Sequence, residues 1–209
     1  LRRLSAANVP YEYKYAYNTV ANAVAVKIDV KYLSDVKKIS GVEEVTVSEY
    51  YYAPQDIDVQ NETNVWGTGI YKISDELRAQ GYDGSGMVVA VLDTGLDYTH
   101  EAFQNLPTDK SKIWTKDTVA WKMADADDFK AKASVNEVYY SEKIPFAYDY
   151  ADDDADVFPS YSSHGTHVAG IVAGESNYEV NSETHETFLG VAPQAQLVIC
   201  KVFTDNLDS

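Results

Sequence analysis

Three side chains set the chemical question. His164 and His167 stand three apart in YSSHGTHVAGIVAG (161–174), at the mouth of an apolar, small-residue run, and Asp93 closes the run MVVAVLD (87–93). An imidazole can act as a general base when a second group fixes its tautomer. It can also bind zinc, but a helical zinc pair is usually spaced four apart with a glutamate between. Here Gly165 and Thr166 intervene, no third ligand is near, and Cys200 is the sole cysteine. Zinc is therefore disfavoured. His167 is expected to point into packing on a small-residue helix. His164 precedes a glycine where a helix should begin, which suits an exposed, reactive group. Asp93 carries two readings. It stands at the C-terminal end of a candidate buried strand, where catalytic groups of open α/β sheets gather, or it caps the turn that follows.

The elements that would hold these groups are legible in part. Met87 to Leu92 is a continuous apolar run, the pattern of a strand buried on both faces of a parallel sheet. Leu197 to Phe203 reads the same way, and residues 165–174 read as a helix rich in Ala and Gly. A helix with Ile70, Ile73 and Leu77 on one face should end at Gly81, and Gly84 and Gly86 should make a turn. Strands alternating with helices predict an α/β domain from about residue 65 onward. Residues 11–52 predict a separate, small α+β unit. Val24, Val26, Ile28 and Val30 alternate as a half-buried strand. Ser34 should cap a short helix carrying Val36 and Ile39 and stopped by Gly41, and Val42, Val45 and Val47 suggest a further strand. Between the two units, residues 53–64 (APQDIDVQNETN) read as a linker.

Residues 106–160 are less regular. They contain Asp125, Asp127 and Asp128, then Asp149, Asp152, Asp153, Asp154 and Asp156. A solvated acidic loop is the plain expectation. A calcium site is the alternative, though the spacing does not match an EF-hand loop.

Composition narrows the partners. The chain has 33 acidic and 17 basic residues, a formal charge of -16. Such a surface should repel nucleic acid and an anionic membrane leaflet. Cys200, flanked by Val198, Ile199 and Val202, reads as a small buried hydrophobe rather than a reactive thiol.

GYDGSGMVVAVLDTGLDYTHEAF (81–103) and SSHGTHVAGIVAG (162–174) together resemble the subtilisin-like serine proteases (subtilases, peptidase family S8), and FLGVAPQAQLVICKV (188–202) is similar to a later segment of that family. The resemblance implies a parallel sheet flanked by helices, here incomplete. It implies Asp93 as the orienting acid and His164 as the general base of an Asp-His-Ser triad, with His167 structural. The chemistry agrees. A serine hydroxyl needs an imidazole to accept its proton, and the imidazole needs a carboxylate to hold its tautomer. The order Asp then His is the subtilisin order. The resemblance further implies a protein or peptide substrate, no cofactor for the chemistry, and a structural calcium ion that no residue pattern here assigns.

The sequence departs from the family in several places. No G-T-S nucleophile motif occurs, and residues 65–209 fall short of the ~250 that a complete domain of this kind can use. The chain is therefore expected to be the N-terminal portion of a protease, inactive alone, with the rest of the catalytic domain as its partner. Asp93 and His164 lie 71 positions apart. That long interval, with a long insertion at about 106–160, is similar to Gram-positive cell-envelope proteases of the lactocepin and C5a-peptidase type, and implies an extracellular, cell-wall-associated enzyme. Ala102 stands where compact family members carry a calcium-ligating acid. Residues 1–52 resemble a subtilase propeptide, with processing expected somewhere in Tyr50 to Asn64. The competing expectation is a non-catalytic binding or inhibitory protein on a subtilase scaffold.

Overall fold

The computed structural model describes residues 1–17, 21–49, 51–52, 75–125, 133–181 and 184–205. The linker 53–64, Ile70, Ile73, Asp127 and Asp128 lie outside them. The chain divides into two compact units, Leu1–Tyr51 and Tyr52–Ser209.

In the first unit, helix α1 (Arg2–Ala6) precedes a hairpin of β1 (Glu12–Tyr17) and β2 (Ala23–Lys27), paired antiparallel. Helix α2 (Leu33–Val36) follows. The core is Leu4, Val9 and Val36, with Val26, Ile28, Ile39 and Val45 against it. Several expectations change here. The strand stops at Lys27, and Val30 sits instead in a short 3-10 turn with its side chain 81% exposed. That turn is capped by Asp29, whose carboxylate accepts from the Lys31 amide, and α2 follows it directly from Leu33, so Ser34 lies inside the helix and is not its cap. Residues 42–49 form no strand, because no ladder partner lies beside them among the described residues. The helix ends at Val36, short of Gly41, which instead lies in the turns that follow, at φ 85°, a conformation that costs glycine little.

The second unit begins with α3 (Asp75–Ala79), ended by Gly81 at φ 87°. A glycine turn, in which the Met87 amide donates to the Gly84 carbonyl, feeds β3 (Val88–Asp93). Helices α4 (Lys116–Asp125) and α5 (Val135–Val138) precede β4 (Phe146–Asp149). Helix α6 (His164–Ala173) leads into the antiparallel hairpin of β5 (Glu175–Asn181) and β6 (Thr184–Leu189), and β7 (Gln196–Lys201) returns to the sheet. The sheet order is β3-β7-β4, with both ladders parallel.

Strand alternation divides the sheet into two faces. Val91, Leu197, Ile199 and Ala147 pack with Ala169 and Ala173 of α6. The small residues at 165, 169 and 173 recur every four positions, so one stripe of α6 faces the sheet. On the opposite face, Phe146 and Tyr148 pack with Val119 of α4 and Val138 of α5. β4 and most of β7 are thus covered on both sides. β3 is not: Ala90 and Leu92 are exposed, Leu92 by 64%. The double burial expected for β3 holds only on the α6 face, since no described element lies over the other. The segment expected as an acidic loop also proves partly regular, because it supplies a sheet strand and two helices that cover it. No helix among the described residues is long and apolar enough to cross a membrane.

Candidate active site

Asp93 is the last residue of β3 and His164 the first of α6. α6 packs on β3 with its first turn against the backbone of Thr94 and Gly95, which brings the two side chains together. His164 Nδ1 lies 2.8 Å from Asp93 Oδ1 and 3.0 Å from Oδ2. The Asp93 side chain is mostly buried (13% exposed), while the His164 ring stays accessible at 38%. A shielded carboxylate behind an accessible imidazole fixes the Nδ1–H tautomer and leaves Nε2 free to take a proton.

Close backbone approach sets this geometry. A Cβ on Gly165 would lie 2.3 Å from the Gly95 carbonyl oxygen, so only glycine lets α6 start against the strand end. Gly95 itself has φ 111°, and a Cβ there would meet the Val157 carbonyl at 2.3 Å. Hydrogen bonds then lock the two segments. The Thr94 hydroxyl donates to the Ser162 carbonyl (3.0 Å) and accepts from the Gly165 amide (2.9 Å). The Asp97 amide donates to Thr166 Oγ1, and the Leu96 amide to the Val157 carbonyl. Asp93 Oδ1 also accepts from the Thr94 amide at 2.7 Å. Tyr98 packs edge-on against Phe158, with 5.9 Å between ring centroids.

His167 is placed differently from expectation. It is exposed, because position 167 is two residues from the buried 165–169 stripe, roughly 200° round the helix. Among the described residues no group of three or more His, Cys, Asp or Glu could hold a metal ion. Several carboxylates of the acidic segment have other partners. Asp149 Oδ1 accepts from the amides of Ala151 and Asp152, Asp152 accepts from Thr204 and the Asp205 amide, and Asp153 accepts from the Tyr148 hydroxyl. Cys200 is half-buried, and burial pushes its thiol up to about 11, far from a reactive thiolate.

One part of the neighbourhood gave no signal in the sequence. Lys201, 1% exposed, is paired in register with Asp93 on one side and Asp149 on the other. Its ammonium lies 2.8 Å from Asp149 Oδ2 and 2.5 Å from Asp205 Oδ2. Burial opposes the charge on Lys201, but the hydrogen bonds to Asp149 and Asp205 outweigh it and hold its pKa above the ordinary lysine range. Burial likewise pushes the Asp149 carboxyl up, against the pull of Lys201 and the two amides. The groups bonded to the Asp149 carboxylate, the Lys201 ammonium and the amides of Ala151 and Asp152, are all donors, which suits the carboxylate form.

An Asp–His pair at the C-terminal edge of a parallel sheet, with helices on both faces, defines an α/β protein equipped for general-base chemistry. The family model of the subtilase family matches residues 84–208, and the chain belongs to this family of serine proteases. Over 196 residues it is 33% identical to a PII-type proteinase of Lacticaseibacillus paracasei and 32% identical to a PI-type proteinase of Lactococcus lactis subsp. cremoris. Each match covers 91% of this chain and 9% of the relative. A C5a peptidase of Streptococcus pyogenes is 35% identical over 131 residues, 60% of this chain and 10% of that protein. The chain therefore spans about a tenth of the length of the curated relatives it matches.

Proposed function

We infer that the chain supplies the acid and base of an Asp-His-Ser triad in a secreted, subtilisin-like endopeptidase, and that the serine lies in sequence outside these 209 residues. The observation that carries this reading is the 2.8 Å contact of His164 Nδ1 with the shielded Asp93 carboxylate. In this reading Asp93 holds the Nδ1 proton, His164 Nε2 takes the serine proton during attack on a peptide carbonyl, and the same nitrogen returns it to the leaving amine. Asp93 then stabilises the imidazolium without being protonated itself. The reading as a protease of peptides or proteins draws on family membership and on the similarity to the bacterial proteinases. An extracellular, cell-wall-associated location rests on that similarity alone.

The remainder of the catalytic domain is the proposed partner. The uncovered face of β3, with Leu92, and the outward Ile171 of α6, 54% exposed, are the surfaces it would cover. Residues 1–52 are proposed as the propeptide, with 53–64 as the processing segment.

The test uses the full-length natural protein and a fluorogenic peptide. Asp93→Asn and His164→Ala should each lower kcat/KM by about 10⁴ or more. The 209-residue chain alone should hydrolyse nothing. Losses below tenfold in both variants, or turnover by the chain alone, would defeat the reading.

A further inference from the structure

Asp93, Lys201 and Asp149 are register partners on three adjacent parallel strands. Register partners in a parallel sheet project to the same face, with neighbouring strands about 4.8 Å apart. The C-terminal edge of the sheet therefore carries an acid–base–acid row on the α6 side. The stem of Lys201 confirms the direction: its Cδ lies 3.1 Å from where a Cβ on Gly95 would stand, under the turn that leaves Asp93. Lys201, with its long, flexible side chain, thus stands in register beside the one carboxylate that His164 depends on.

Yet the ammonium is engaged elsewhere. It is bonded to Asp149, itself 1% exposed and fixed by the amides of Ala151 and Asp152. Its second partner is Asp205, in the segment just after β7, whose Oδ2 also accepts from the Ser160 hydroxyl. Ser160 lies four residues before His164. The cluster holds three charges, one positive and two negative, so Lys201 is fully compensated without Asp93.

We propose that Asp149 and Asp205 are positioning residues for the dyad: by occupying the Lys201 ammonium they keep it from the Asp93 carboxylate, and so leave that carboxylate to His164. A buried cation without its partners would take the nearest anion, because leaving a charge unpaired in the interior costs more than rearranging a side chain. Asp93, its register partner on the neighbouring strand, is the anion on the dyad's side. Its capture would weaken the hydrogen bond to Nδ1, and His164 would lose its tautomer preference. The functional meaning of this arrangement rests on the catalytic reading above, but the hydrogen bond on which it acts does not.

The test reads the tautomer and not activity. The chain has four histidines, so ring-nitrogen spectra of the full chain labelled with ¹⁵N-histidine are simple, and His164→Gln assigns the signal. Above the imidazolium range, His164 in the unaltered chain should be mainly the Nδ1–H form. In Asp149→Asn/Asp205→Asn the Nδ1–H to Nε2–H ratio should fall about tenfold, the equivalent of one charge-assisted hydrogen bond. Adding Lys201→Met should restore it, which a merely structural role for the acids would not do. A ratio within twofold of the unaltered chain in the double variant overturns the proposal, as does a failure of Lys201→Met to restore it. If the double variant does not fold, Asp205→Asn alone decides, since Asp205 is partly exposed: a lower ratio supports the proposal and an unchanged one overturns it. A protein that hydrolyses no peptide would leave these outcomes as they stand.

Discussion

Thr94→Val isolates what holds the acid to the base. The threonine is 4% exposed, and its hydroxyl ties the end of β3 to the chain on either side of His164, donating to Ser162 and accepting from Gly165. Valine keeps the shape and removes both bonds. The Gly165 amide lies in the first turn of α6, where no intrahelical acceptor is available, and it is buried. Leaving it unpaired costs about 1–3 kcal/mol. Ser162 is a half-buried residue, so water can replace the donor its carbonyl loses, at a cost of about a few tenths. Together the loss is about 2 kcal/mol, a large share of the roughly 5–15 kcal/mol by which such domains are stable. Thr94→Ser makes the opposite change, keeping the hydroxyl and losing a methyl group, at about 0.8 kcal/mol. Urea unfolding followed by tryptophan fluorescence compares the two directly. The expected order is threonine, then serine, then valine. A valine variant as stable as the serine variant would show that burial of the methyl group, and not the paired hydrogen bonds, is what Thr94 contributes.

Gly165→Ala should be worse than either, since its Cβ would press on the Gly95 backbone at 2.3 Å and neither segment has a flexible side chain to yield. A loss of at least about 2 kcal/mol in the same unfolding assay is expected, and a neutral result would mean that α6 does not start against the strand end. Lys143 gives a pH dependence. It is 0% exposed, its ammonium bonds to the carbonyls of Pro193 and Ala195, and burial pushes its pKa down from 10.5 to about 8. Between pH 8 and 10.5 the unfolded chain therefore keeps a proton that the folded chain has released, so stability rises with pH across that window, by about 3 kcal/mol in all. Cys200, raised by burial to about 11, acts in the opposite sense above pH 9, and Tyr140 and Tyr150, raised to about 12, do so above pH 10, so the rise is read between pH 8 and 9. Lys143→Met should abolish it, and a rise that persists in that variant would assign it to another group.

The sequence made some of this neighbourhood legible and hid the rest for a physical reason. Asp93 and His164 each sit in a local pattern: an apolar run that ends in an acid and a glycine, and a histidine before a glycine and small residues every fourth position. Those patterns are written within one element, so a reader of the chain can find them. The exposed side of His167 follows from the same helix, and counting 200° from the buried stripe would have corrected the packing expected for it. β1 was also there to be read, because Tyr13, Tyr15 and Tyr17 alternate with polar or small neighbours at the period of a strand, although all six residues are exposed. β4 was not. Four residues, all buried, carry no period that separates a strand from any other apolar segment, and their place beside β7 is set by contacts with α4 and α5. Lys201 depends on β4 in turn. In the sequence it is one charge closing an apolar run, 52 residues from Asp149, and only the parallel register of three strands puts it between two acids and beside a third. The acid and base that face a substrate are thus readable one element at a time. The charges that keep them in place exist only as a relation between strands, so a variant chosen from the motif alone would test Asp93 and His164 and leave untouched the residues that hold them together.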